Sequence, residues 1–172
     1  MKGLSIMRSN VFDRKGFCIG QILLILVLFS GQLFAGIPAG QAAILKGDFP
    51  RAFKEFKVDA DKGVAYAQAV VGVMLHLGQG VKRDLPKAFS WYKKAAEQGY
   101  EAGVANVGIM YYKGAGTQQD DVKAYAWLDL ASHIRGGREH NAKARVASFL
   151  SPQQLKKAQQ LAASLRKKFD KK

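Results

Sequence analysis

The chain has 172 residues, 27 Lys and Arg against 13 Asp and Glu, a formal net charge of +14, and a single cysteine. One cysteine excludes an internal disulfide framework and any cysteine-rich metal site. The basic balance admits nucleic acid, anionic lipid or an acidic protein as partners, so the order of elements along the chain must decide between them.

The N-terminus has the layout of a secretory signal peptide. Residues 1–21 carry Lys2, Arg8, Arg14 and Lys15 against one Asp13, and Ile22-Leu-Leu-Ile-Leu-Val-Leu-Phe29 follows as an unbroken apolar run. Gly31, Ala35 and Gly36 then supply small residues. Residues 1–35 are therefore expected to be a leader cut after Ala35, with Ala42 as the next choice. The alternative is an uncleaved anchor, because residues 17–34 are 18 uncharged residues, just enough to cross a bilayer. Either outcome places the rest outside the cytoplasm, periplasmic or secreted, or held at the inner membrane by 17–34. Cys18 precedes the apolar run and follows Phe17, which is the wrong place for lipidation. Loss of the leader leaves +11 and no cysteine.

Residues 36–134 contain one segment written twice. Gly63-Val-Ala-Tyr-Ala-Gln-Ala-Val-Val-Gly-Val-Met74 returns 36 residues later as Gly99-Tyr-Glu-Ala-Gly-Val-Ala-Asn-Val-Gly-Ile-Met110. The register continues through Gly78/Gly114, Gly80/Gly116, Asp84/Asp120, Lys87/Lys123, Ala88/Ala124 and Trp91/Trp127. One step back, Asp48, Ala52, Phe53, Ala60 and Gly63 stand where Asp84, Ala88, Phe89, Ala96 and Gly99 stand. A period in the thirties signals stacked helical hairpins, none able to bury its apolar face alone. The expected array is a half unit over 42–62 and full units over 63–98 and 99–134.

Each repeated residue has a physical task. The paired glycines end a helix and accept positive φ. Asp84 and Asp120 are placed to cap the next helix, and Pro50 and Pro86 fall in a first turn, where a missing N–H costs little. Gly72 and Gly108 lie inside helices, where glycine costs about 1 kcal/mol relative to alanine, so close helix crossing is the expected reason for them. Trp91 and Tyr92, with Trp127 and Leu128, are expected to fill the seam. Loss of either tryptophan should then cost about 3–5 kcal/mol.

The stretch 65–99, AYAQAVVGVMLHLGQGVKRDLPKAFSWYKKAAEQG, resembles the Sel1-like repeat family, a subclass of tetratricopeptide-like α-solenoids. Ala65, Ala67, Gln68, Gly72, Gly78, Gly80, Val81, Asp84, Lys87, Ala88, Trp91, Tyr92, Lys94, Ala95, Ala96 and Gly99 match the family's pattern. The second unit is looser, with departures at Gly103, Thr117, Asp121 and Asp129-Leu130. The resemblance covers residues 42–132. It implies an all-α, right-handed solenoid of helix–turn–helix repeats, and a binding scaffold in place of a catalyst.

Beyond the array, residues 135–172 read as a basic helical cap. Arg135-Gly-Gly-Arg138 is a break, and 139–150 reads as a short helix. Ser151-Pro152-Gln153-Gln154 is a capping box with proline in the first turn. The helix that follows presents Leu155, Ala158, Leu161, Ala162, Leu165 and Phe169 for docking on the last repeat, as an array end requires. Its lysines and arginines read first as a solvated face, and second as attraction for lipid headgroups or an anionic polymer such as peptidoglycan or polysaccharide. Export and the absence of aromatics among the cations argue against nucleic acid.

No chemistry is expected. His133 and His140 are seven residues apart across the break, and His76 is remote, so no histidine pair has metal spacing. Gly78-Gln-Gly80 and Gly114-Ala-Gly116 follow helices and lack a P-loop's lysine and hydroxyl. No catalytic, metal or cofactor residue is assigned. The candidate site is a stripe beside the core on the first helix of each unit: Tyr66, Val70, Val73 and Leu77, then Ala102, Asn106, Ile109 and Lys113. As an open groove it suits a peptide or protein segment, with Asn106 for its backbone and Lys113 for an acidic group. The competing expectation is that the N-terminal segment, with Ile44 and Leu45, folds over the stripe.

Overall fold

The computed structural model describes residues 39–134 and 141–170. Eight helices and no strand occur among these residues. They are α1 (Ala39–Leu45), α2 (Phe49–Asp61), α3 (Ala65–Leu77), α4 (Leu85–Glu97), α5 (Glu101–Lys113), α6 (Asp121–Ile134), α7 (Asn141–Ala147) and α8 (Pro152–Phe169). The expected leader at 1–35, the alternative anchor at 17–34, Cys18 and the break at 135–138 lie outside the described residues. Among the described residues no helix is long and apolar enough to cross a membrane.

The period is visible in the helices themselves: α2 and α4 begin 36 residues apart, as do α3 and α5, and all four are 13 residues long. From α1 to α7 each helix packs on the next, and α8 returns to pack on α6. Nearest-neighbour packing of this kind is the all-α solenoid that the period implies.

Caps set the boundaries. Asp48, Asp84 and Asp120 accept hydrogen bonds from the amides of Arg51, Lys87 and Lys123 at 3.1, 3.0 and 2.9 Å. Lys87 and Lys123 also place Nζ 2.9 Å from the aspartates that cap their helices. The Lys87 bonds hold the Asp84 carboxyl below its ordinary range.

The turns do more than end helices. Gly80 and Gly116 both have φ of +70°, and a Cβ on either would collide with a backbone carbonyl of the preceding unit, Phe49 or Leu85. It would also sit 2.7 Å from the nitrogen of Pro50 or Pro86. Each turn thus lies flat on the first turn of an earlier helix, and proline there has no N–H to be stranded by the covering chain. Val122 stands at the same place in α6, and no third Gly-x-Gly turn follows it.

The seam corrects one expectation. Tyr92 and Leu128 are the buried members of their pairs, at 1% and 0% exposure, while Trp91 and Trp127 are half-buried. One residue is a 100° rotation on a helix, enough to move the larger ring to the rim. Trp91 lies there with the ammonium groups of Lys57 and Lys94 at 5.2 and 4.2 Å from its ring centre. Tyr92 and Leu128 fit because Gly72 and Gly108 have no side chain. A Cβ at those positions would meet Tyr92 at 2.7 Å and Leu128 at 2.8 Å. Gly103 departs from the pattern for the same reason, since a Cβ there would be 2.8 Å from Ala95 Cβ. In the second unit the buried stripe includes Val104, Val107 and Met110, with Ala105 only half-buried.

The C-terminal end is closed by residues that differ from their repeat equivalents. Leu130 is fully buried where the first unit has the exposed Lys94, which gives α8 an apolar surface. α8 buries Ala158 and Ala162 completely or nearly so, and Leu165 and Phe169 join the main core. Its capping box forms, with Ser151 Oγ accepting from the Gln154 amide at 3.3 Å and Gln154 Oε1 accepting from the Ser151 amide at 3.0 Å. α7 is shorter than 139–150: it ends at Ala147, where Ser148 Oγ donates to the Arg145 carbonyl at 2.8 Å and the chain turns into the next cap.

Asp129 ties both cap helices to the array. Its carboxylate, 13% exposed, lies 3.5 Å from Lys143 Nζ on α7 and 3.4 Å from Arg166 Nη1 on α8. Asp129→Asn should therefore loosen the cap selectively. Amide hydrogen exchange should accelerate in α7 and α8 while α3 and α4 keep their protection; uniform protection in the variant would show that packing alone holds the cap.

Candidate functional site

On α3 the apolar stripe is open. Tyr66, Val73 and Leu77 are 39%, 37% and 59% exposed, and Val70 is half-buried. Of the N-terminal segment expected over it, residues 1–38 lie outside the described residues, and Ile44 and Leu45 are themselves 38% and 78% exposed. α1 reaches the stripe through Gln41, whose Nε2 donates to Tyr66 Oη at 3.0 Å. The Tyr66 ring is further held edge-on between Phe56 and Tyr100, at centroid distances of 5.9 and 6.2 Å.

On α5 the predicted residues are placed less evenly. Ala102 and Lys113 are exposed, and Asn106 and Ile109 are half-buried. Asn106 donates from Nδ2 to the Ala102 carbonyl of its own helix at 2.8 Å, so part of its donor capacity is already used. Ile109 packs on the small cluster of Ala124, Leu128 and Val146. The Tyr66–Tyr100 contact joins the starts of α3 and α5, and Lys113 stands at the repeat position of Leu77, 36 residues on, so the two stripes follow the same order.

The far end of this face is basic. His76 is half-buried with its ring edge-on to Tyr92 at 6.3 Å. Burial first, then the positive charges of Arg83 and Lys113, hold its imidazole below the usual 6.5. Arg83 is folded against the Gly78 turn, where a Cβ on the glycine would be 3.3 Å from Arg83 Cβ. Leu75, Val81, Lys82, Arg83, Asp84 and Lys87 line a shallow groove of about 330 Å³ beside it.

Several residues at or near the face escape a reading of periodicity. Phe149 is 64% exposed and stacks on Tyr112 at 6.5 Å, and the Arg145 guanidinium lies 5.8 Å from the same ring. Tyr112 neighbours the predicted Lys113 in sequence, but Phe149 arrives only because α7 folds back. Gln68, buried at 5%, is a clasp: it donates to the Ala60 carbonyl at 3.2 Å and accepts from Gln98 Nε2 at 2.8 Å. Among the described residues no group of three or more His, Cys, Asp and Glu could hold a metal. His133 is instead paired with Asp170 at the end of α8, Nε2 to Oδ1 at 3.1 Å.

Residues 65–100 and 102–133 match the Sel1 repeat model. Among solved structures, one similar chain is a protective antigen present in uropathogenic Escherichia coli strains and displaying an SLR fold. It is 30% identical with a TM-score of 0.68, and the match covers 81% of this chain and 32% of that one. Another is a Sel1 repeat protein from Oxalobacter formigenes, 31% identical with a TM-score of 0.50, covering 51% of this chain and 25% of that one. The chain thus spans a third or less of the length of these two. No curated protein matches the sequence.

Proposed function

Since the chain carries two Sel1 repeats, modules of protein–protein interaction, we propose that it is a non-catalytic scaffold that binds a peptide or protein segment along α3 and α5. The observation that carries this reading is the open stripe of Tyr66, Val73 and Leu77 on an otherwise well-packed helix. Apolar residues at that spacing, exposed among the described residues, are how helical grooves hold extended or helical partners. Affinity comes from the apolar contacts, and the polar and basic end sets direction.

The binding takes place outside the cytoplasm, in the cell envelope or beyond it. The charged, apolar and small-residue zones of 1–35 support that location. The similar chain's description as a protective antigen favours it as well.

Val73→Glu combined with Asn106→Ala should abolish capture of the partner from an envelope extract. Helical circular dichroism and melting temperature should stay near the parent's, because Val73 is exposed and the Asn106 bond is internal to one helix. Unchanged capture by the folded double variant would remove this face from consideration.

A further inference from the structure

We propose that the segment bound along α3 and α5 is acidic at the end that reaches Leu77, where His76, Arg83 and Lys113 gather around it. This inference rests on the scaffold reading and names the chemistry of its partner.

Three observations carry it. First, the face contains cations without counter-ions. Arg83 and Lys113 are both exposed, and neither has an ion pair among the described residues. Second, acid is scarce at the face: 65–83 holds no Asp or Glu, Glu101 lies at the opposite end of α5, and Asp84, which shares the groove with Arg83, is already paired with Lys87 at 2.9 Å. Third, the chain's own balance disfavours a second copy as the occupant, since 27 Lys and Arg stand against 13 Asp and Glu and a copy would bring +14. A basic face with an apolar half selects against such a partner by charge and selects for an acidic, partly apolar segment of another protein.

The cations also have an internal role as complements to the negative end of the α3 and α5 dipoles. That role is served by Lys113 alone on α5, and it does not account for Arg83, which lies beyond the helix and returns to it across the Gly78 turn.

The test is selection of a random dodecapeptide display library on the immobilised full chain. The peptides retained should combine leucine, isoleucine, valine or an aromatic residue with a carboxylate cluster at one end. Arg83→Glu with Lys113→Glu should weaken a selected peptide at least about tenfold. Arg83→Gln with Lys113→Gln, which leaves the helix end less perturbed, should weaken it in the same direction. Lys156→Glu with Lys157→Glu, on the exposed side of α8, should have no comparable effect. Retained peptides without acidic enrichment, or equal weakening by the α8 variant, would overturn the acidic assignment while leaving the groove intact. Acidic peptides indifferent to Val73→Glu would instead overturn the groove itself, as would the absence of any retained peptide.

Discussion

Tyr92→Ala should lower the stability of the array by about 3–5 kcal/mol, the usual cost of removing a buried aromatic ring. The ring is 1% exposed and lies on the backbone of Gly72, so no flexible neighbour can move in to fill the space. Its burial also shows in the phenol, pushed up to about 12. Total stabilities of small domains are about 5–15 kcal/mol, so this one change removes a large share. Trp91→Ala should cost clearly less, because that ring is half-buried at the rim and its cation contacts are solvated. Urea unfolding of the three proteins decides the matter. A loss at Trp91 equal to that at Tyr92 would mean that the seam is assigned to the wrong residue.

Gly116→Ala should cost about 3 kcal/mol or more, from two additive sources. A left-handed φ costs a non-glycine residue about 1–2 kcal/mol. The added Cβ then meets the Leu85 carbonyl and Pro86, which are backbone and ring atoms that cannot rotate away. Gly114→Ala is the control. Its φ is +62°, but the nearest atom an added Cβ would meet is Gln119 Cβ at 3.2 Å, a tight contact and not a collision. Gly114→Ala should therefore show little beyond the φ cost. Equal losses at the two glycines would refute the close stacking of turn on helix. Because Gly116 joins one unit to the next, its alanine variant should also uncouple the units and broaden the thermal transition.

Much of the fold was legible because its signals are local and repeated. Asp48, Asp84 and Asp120 mark helix starts by capping chemistry, and Gly78, Gly80, Gly114 and Gly116 mark ends by conformation. Neither depends on tertiary context, and the 36-residue register sets both in phase. The docking of α8 was legible for the same reason, since Ser151, Pro152 and Gln154 announce the start and the alanines give the buried face.

The rest needed three dimensions. Trp91 against Tyr92 is a matter of helix rotation, which adjacency in sequence does not resolve. The Asp129 clamp joins α6 to residues 14 and 37 positions later, Lys143 and Arg166. Its sole trace in the sequence is a mismatch to the repeat pattern. Gln68 was recognised as a pattern match, yet its clasp on Ala60 and Gln98 depends on how consecutive units meet. At the candidate site, the α3 stripe was readable from spacing, and its exposure came from the structure. Of the basic end only Lys113 was readable, because Arg83 joins it and His76 only after the Gly78 turn reverses the chain. The α1 helix gave no signal either, being seven residues without a cap or a repeat equivalent.

If partners meet this protein on the face of α3 and α5, site-specific photocrosslinking in cells will find them there, with a photoreactive residue placed at Val73 in one variant and at Lys93, exposed on α4, in the other. Position 73 should give a light-dependent adduct with a second polypeptide and position 93 none. Adducts from 93 with none from 73 would contradict it.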